Sequence, residues 1–239
     1  MKKLYIIKVG TTFSNILEKF GDFDKWTLEA LGDVEIETSI LDVENGAELP
    51  KAKDCAGVVI TGSHAMVTEK LPWSVRLERW IPSLIEAKTP FFGICYGHQL
   101  LAEATGGEVG FHKMGKELGT VEVEQVSDCV DDHLFKELPN SFSVHATHAQ
   151  TVLKLPKGAR RLAANSYEPN HAFCVGECAW GVQFHPEYNV DVMCAYVEAQ
   201  EEDLQTKGTD IKKVLGTVND TPVASQVFRN FAHFVEDRL

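Results

Sequence analysis

The chain has 239 residues, 44% of them hydrophobic and 24% charged, with a formal net charge of −12. That length accommodates one α/β domain or two small ones around a substantial core, and the composition excludes disordered and fibrous classes. The acidic balance argues against a nucleic-acid or anionic-membrane surface, which needs clustered Lys and Arg, and favours a small molecule or a protein as partner.

The N-terminus starts with Lys2 and Lys3, but Lys8 breaks its apolar run and no small-residue cleavage site follows. Residues 4–9 therefore read as a buried first strand rather than a targeting segment. No stretch approaches the ~20 apolar residues of a membrane span. The six cysteines, Cys55, Cys95, Cys129, Cys174, Cys178 and Cys194, form no CxxC pair. Free thiols in a reducing cytoplasm are the expectation.

Over residues 12–31, Phe13, Ile16, Leu17, Phe20, Trp26, Leu28 and Leu31 fall at helical spacing, with an interruption near Gly21. Residues 34–41 are β-branched enough for a second strand. The segment 54–61 contains Gly57-Val58-Val59-Ile60, a continuous apolar run of the kind a parallel strand buried on both faces requires. A loop at 62–66 follows, then a helix over 71–87 entered through Pro72 and made irregular by Pro82. A short strand at 91–94 precedes a helical pattern that Gly106-Gly107 can stop.

This strand–helix alternation predicts a mainly parallel central sheet with helices on both faces. Ligands bind such sheets beyond the carboxyl ends of the strands, so the 62–66 loop and the turn at Cys95 share one edge. From Glu108 the texture changes to short β pieces at 118–126, 141–145, 161–164 and 172–175, read as a small antiparallel portion of the same domain, and 179–184 reads as a further strand leading to His185. Helices are expected over 190–202 and 222–237, the second with Thr221 as N-cap and Pro222 at its first position. No linker or repeat divides residues 1–239, so one domain with a helical extension from about 189 is expected.

The chemistry concentrates at Gly93-Ile94-Cys95-Tyr96-Gly97-His98-Gln99. Gly93-x-Cys95-x-Gly97 is the cysteine counterpart of the G-x-S-x-G elbow, where small flanking residues let a strained strand-to-helix turn present a nucleophile. The helix N-terminus beneath favours the thiolate. A thiolate nucleophile needs a base, and the base an orienting group. His185 follows a predicted core strand, and an extended backbone through Pro186 would put Glu187 on the same side as His185. His145 and His148 lack a third clustered ligand, so no metal is expected. Cys174 and Cys178 read as core or loop thiols across a hairpin, 198–203 as a solvated acidic helix end, and Trp73 and Trp80 as core.

Gly93 to Gln99 together with Gly181-Val182-Gln183-Phe184-His185-Pro186-Glu187 resembles the signature pair of the class I, triad-type glutamine amidotransferases. The likeness is greatest to the glutaminase domain of GMP synthetase and its stand-alone relatives, and covers about residues 4–188. It implies the flavodoxin-like amidotransferase fold with no cofactor. It also implies Cys95 as nucleophile, His185 as general base and acid, and Glu187 as its orienter. By the same resemblance Gly62 or Ser63 supplies one oxyanion donor and the N–H of Tyr96 the other, Ser63 standing where relatives have glycine. Gln99 matches a residue at the amino-acid end of bound glutamine. Ala146-Thr147-His148 matches a Ser-His region whose backbone holds the α-carboxylate, with Thr147 in the serine's place.

The expected reaction is hydrolysis of the γ-carboxamide of glutamine, or of a γ-glutamyl amide, through a γ-glutamyl thioester. The stretch after Glu187 is too short for an ATP-using synthetase domain, and no G-x-x-x-x-G-K-[ST] loop occurs. Ammonia for synthesis would go to a separate acceptor subunit. The alternative is a stand-alone γ-glutamyl peptidase. A non-catalytic binding protein on the same fold is the reading from another class, against which all three residue types weigh.

Overall fold

The computed structural model describes residues 2–126, 129, 131–206 and 208–239. Its main sheet has nine strands in the order β2-β1-β3-β4-β11-β10-β9-β6-β7. Five of them are parallel: β1 (Lys3–Lys8), β2 (Thr38–Asp42), β3 (Cys55–Ile60), β4 (Phe91–Ile94) and β11 (Ala179–Val182). The antiparallel strands β10 (Ala172–Val175), β9 (Arg160–Ala164), β6 (Glu117–Gln125) and β7 (Ser141–His148) continue the sheet from β11. A separate antiparallel pair joins β5 (Glu108–Phe111) to β8 (Gln150–Lys154).

Along the central parallel strands β3, β4 and β11, successive side chains feed opposite faces, which is why these runs are apolar and buried throughout. Val58, Ile60 and Phe91 pack with Leu77, Ile81, Leu84, Leu100 and Leu101 of α3 (Pro72–Glu86) and α4 (Tyr96–Ala104). Val59, Phe92 and Ile94 face the other way, against Val227, Phe228, Phe231 and Val235 of α8 (Pro222–Glu236). Each such fully buried side chain contributes about 1.5–3 kcal/mol. Pro82 sits on the exposed side of α3, so the N–H it removes costs no buried partner.

The expected break near Gly21 is present: φ is +88° there, separating α1 (Ser14–Phe20) from α2 (Phe23–Leu31), which Asp22 caps through the N–H of Phe23 at 2.9 Å. The predicted helix over 190–202 divides at Gln200 into α5 (Val190–Ala199) and α6 (Glu201–Thr206). Sequence reading missed β5, β8 and the short α7 (Ile211–Leu215), too brief to establish a period. Thr221 makes no side-chain cap bond, contrary to expectation, and leaves α8 to start on Pro222 alone. Trp73 and Trp80 lie at the rim of the core, with the Trp80 indole N–H donating to the Pro50 carbonyl at 2.9 Å. Cys55, Cys95, Cys174, Cys178 and Cys194 are free thiols, and Cys174 and Cys178 are buried at the ends of the β10–β11 hairpin.

The strand-to-helix turn after β4 depends on its glycines. A Cβ on Gly93 would overlap the Gly97 carbonyl and lie 2.7 Å from His98 N; one on Gly97 would lie 2.6 Å from the Ile60 carbonyl oxygen. These neighbours are backbone and cannot rotate away. Gly93→Ala is therefore expected to destabilise the fold by about 3 kcal/mol or more, read as a drop in the urea midpoint at constant m.

Candidate active site

Three adjacent parallel strands, β3, β4 and β11, end side by side, and the residues singled out in the sequence leave from those ends. Cys95 follows β4 directly. Its N–H donates to the Val182 carbonyl at 2.8 Å, and its own carbonyl accepts the first α4 bond from Gln99 N at 3.1 Å. Between these two anchors the backbone takes φ +46°, ψ −90°. A non-glycine residue in this region carries strain of order 1–3 kcal/mol, which the surrounding ladder holds in place.

His185 leaves β11 beside it and is almost wholly buried. Its N–H donates to the His145 carbonyl at 2.8 Å, and its Nδ1 is 2.8 Å from Glu187 Oε1. The sequence anticipated this pair from an extended backbone. Instead Pro186 and Glu187 form a turn, with Tyr188 N bonded back to the His185 carbonyl at 3.4 Å. Ser225 of α8 donates to the Pro186 carbonyl at 3.1 Å and Asn189 caps α5, so the turn is fixed at both ends. Tyr188 stacks on the His185 ring with centroids 4.0 Å apart.

Burial alone would lower the His185 pKa, but the Glu187 carboxylate and the neighbouring Cys95 raise it to about 10. The imidazolium is thereby favoured at neutral pH. With Nδ1 committed to Glu187, Nε2 has no hydrogen-bond partner among the described residues. A buried nitrogen left open beside a thiol can pass a proton to or from a third molecule.

The loop after β3 closes the site. A Cβ on Gly62 would come within 3.0 Å of His185 Cε1, so glycine permits the loop to lie against the imidazole. Ser63 Oγ accepts from Ala65 N at 3.1 Å and thus stabilises the loop. Tyr96 begins α4, where backbone N–H groups have no intrahelical acceptor. Its side chain turns into the core, the hydroxyl 2.6 Å from Ser74 Oγ.

A cavity of about 210 Å³ opens over Cys95, with Gln99, Thr147, His148, Gln150 and Tyr188 among its walls. Ala146 is absent from the lining: it is paired within the sheet opposite Gly119, and the cavity begins one residue later at Thr147. Gln99 is a wall residue already engaged within the protein, its Nε2 donating to the Gln150 carbonyl at 2.8 Å and to Gln183 Oε1 at 3.0 Å. Gln183 in turn directs Nε2 at Cys95 Sγ, 3.5 Å away. Sequence reading passed over Gln183, although its place two residues before His185 was the available signal.

His148 sits on a buried carboxylate that the sequence did not reveal. Its Nε2 is 2.9 Å from Glu117 Oε2, and its Nδ1 is 2.9 Å from the Gln150 carbonyl. His171 Nε2 is 3.1 Å from the same carboxylate oxygen, and Asn165 donates to the other at 2.9 Å. Burial raises the Glu117 pKa, but bonding to His148 and His171 outweighs it and holds the carboxyl well below its usual range. His145 bonds Thr120 at 3.1 Å instead and does not join His148. Among the described residues no group of three or more His, Cys, Asp or Glu could hold a metal.

Because the folded pKa of Glu117 lies below its unfolded value, its contribution is fully present above about pH 4.5 and is lost as pH falls through the folded pKa. Glu117→Gln is expected to cost about 3 kcal/mol at pH 7, by replacing the buried carboxylate that receives His148, His171 and Asn165 with an amide that cannot accept from all of them. The deficit relative to the parent should shrink in urea melts carried out below pH 4.

The large, mostly parallel sheet with a small antiparallel pair beside it is the fold of solved glutamine amidotransferases. The profile of the family described as Glutamine amidotransferase class-I matches residues 16–199, and the chain belongs to that family. Among curated proteins it is 35% identical over 173 residues to a subunit of the glutamine-hydrolyzing GMP synthase of Archaeoglobus fulgidus, covering 72% of this chain and 87% of that one. It is 29% identical over 198 residues to "Gamma-glutamyl peptidase 4" of Arabidopsis thaliana, covering 80% and 78% respectively. Among solved structures, a glutamine amidotransferase from Thermotoga maritima superposes with a TM-score of 0.76 at 26% identity, over 98% of both chains. Among the described residues no helix is long and apolar enough to cross a membrane.

Proposed function

We propose that the protein hydrolyses the γ-amide of glutamine or of a γ-glutamyl compound through a γ-glutamyl thioester on Cys95. The observation that carries this reading is the 2.8 Å bond from His185 to Glu187, with the other imidazole nitrogen left open beside a nucleophile on a strained turn. Cys95 Sγ attacks the γ-carbonyl, and the oxyanion is received by backbone N–H groups of Tyr96 and of Gly62 or Ser63. His185, protonated at Nε2, donates to the departing nitrogen, then takes a proton from the water that releases glutamate. Thr147 and His148, at the end of β7, hold the α-carboxylate, with Gln99 supporting that wall through Gln150. The whole chain acts as one amidotransferase unit in the cytoplasm and uses no cofactor.

Two finer readings divide on the fate of the nitrogen. A glutaminase would deliver ammonia to a separate synthetase chain, in keeping with the likeness to the archaeal GMP synthase component. A stand-alone γ-glutamyl hydrolase would release a larger amine, in keeping with the likeness to γ-glutamyl peptidase 4, and the aromatic residues around this cavity favour it. Glutamate release by the purified chain, assayed on glutamine and on several γ-glutamyl amides, tests both. Release from none of them, with no γ-glutamyl adduct on Cys95 by mass spectrometry, would refute the thioester. Weak glutamine turnover that rises when a co-purifying synthetase is added would select the glutaminase.

A further inference from the structure

Cys95 is held twice by consecutive residues at the end of β11. Its N–H donates to the Val182 carbonyl at 2.8 Å, and its Sγ accepts from Nε2 of the next residue, Gln183, at 3.5 Å. Gln183 is wholly buried, and its own N–H donates to the His171 carbonyl at 2.8 Å, which fixes its backbone as well. No step of the acyl transfer uses Gln183, yet its side chain touches the reacting atom.

A carboxamide has a donor end and an acceptor end of nearly the same shape, so its partners decide which end faces the sulfur. Here they leave one arrangement. The main-chain oxygen of Gln150 can only accept, so the Gln99 group 2.8 Å from it is the amide NH₂. That NH₂ also lies 3.0 Å from the Gln183 side chain, so the atom meeting it there is the Gln183 oxygen. The Gln183 NH₂ therefore faces Cys95. Turning Gln99 round would set oxygen against oxygen, and turning Gln183 round would set NH₂ against NH₂. The Gln150 oxygen from which this order starts is met from a second side by His148 Nδ1 at 2.9 Å.

We propose that Gln183 is a positioning residue for the nucleophile, its N–H holding Cys95 Sγ on the line of attack at the γ-carbonyl, and that Gln99 acts through Gln183 by keeping the donor end toward the sulfur. This rests on the thioester reading above. The strained backbone at Cys95 fixes where Cβ points but leaves rotation about Cα–Cβ open, and a donor on one side of the sulfur selects one rotamer. A misplacement of about 1 Å at a reacting atom can cost about 100-fold in rate. The role of Gln99 changes accordingly. The family resemblance puts it at the amino-acid end of bound glutamine, whereas its NH₂ is committed twice within the protein, to Gln150 and to Gln183.

The test measures kcat and KM for glutamine and γ-glutamyl-p-nitroanilide, the rate at which iodoacetamide alkylates Cys95, and the urea midpoint. Gln183→Met is expected to lower kcat about 10–100-fold with KM within about twofold, the mark of an interaction realised in the transition state. Iodoacetamide is small and needs no fixed approach, so its rate should change by less than about threefold. Gln99→Met should show the same pattern more weakly, and the two substitutions together should be no slower than Gln183→Met alone. Gln99→Met also answers if Gln183→Met does not fold: a fall in kcat at constant KM supports the proposal, whereas a rise in KM at constant kcat makes Gln99 a substrate contact and overturns it. An unchanged kcat in folded Gln183→Met, or alkylation slowed as much as kcat, would overturn it too, yet leave the thioester reading standing. A parent that releases no glutamate and forms no adduct on Cys95 would remove both.

Discussion

Cys95→Ala is expected to reduce glutamate release from glutamine or any γ-glutamyl amide by at least about 10³-fold, the scale on which nucleophile deletions act. The substitution removes only Sγ. Alanine has the same backbone requirements as cysteine, so the φ of +46° costs the variant no more than the parent. With the sulfur goes the 3.5 Å approach of Gln183 Nε2, a weak interaction. Stability should therefore change by less than about 1 kcal/mol, and a loss of turnover can be read as chemistry rather than unfolding. Parallel measurement of glutamate release and of the urea midpoint decides the matter. Turnover that survived in the alanine variant would remove Cys95 from the reaction.

The second large effect is expected at Glu187. In Glu187→Gln the amide oxygen can still accept from Nδ1, but the negative charge that outweighs burial at His185 is gone, and the amide NH₂ can select the wrong tautomer. We expect kcat to drop by about 10²–10⁴-fold, as when comparable orienting carboxylates are neutralised. The pH profile separates this from general damage. A raised pKa keeps the proton on the imidazole at higher pH, so the alkaline limb of kcat/KM in the parent should fall near pH 10. In Glu187→Gln it should move down by more than one unit. The same sign governs stability. The favourable contribution of His185 is fully present below its unfolded value near 6.5 and disappears as pH rises through about 10. An unmoved alkaline limb would show that Glu187 does not set the charge on His185.

Much of this site is legible in the sequence because its parts are local. Gly93, Cys95 and Gly97 define their turn within five residues, and β4 and α4 announce themselves by a change of hydrophobic period on either side. His185 and Glu187 are near neighbours in the chain. What stays hidden depends on contacts between distant segments. Glu117 meets His148 and His171 only after β6, β7 and the β10 segment assemble, and its position at the start of an ordinary alternating strand gives no sign of burial. The aromatic residues around the cavity include Phe13, His64 and Tyr196, which are spread over most of the sequence. Even the His185–Glu187 pair forms on a backbone other than the extended one expected of it, because Pro186 opens a turn where the strand could have continued. The fold class is readable from the alternation of strands and helices. The nine-strand order, with an antiparallel half growing from β11, is not, since adjacency of short β pieces is set by pairing rather than pattern.

The side chains behind Cys95 also determine where protons can travel. Gln183 approaches the sulfur, Gln99 donates to Gln183 and to the Gln150 carbonyl, and the fully buried His98 beside Gly181 has its pKa lowered to about 3. Carboxamides do not titrate, and His98 is uncharged throughout the working range. The rear of Cys95 is thus insulated against proton leakage. The open nitrogen of His185, by contrast, belongs to a ring that titrates, which gives proton movement beside Cys95 a preferred side.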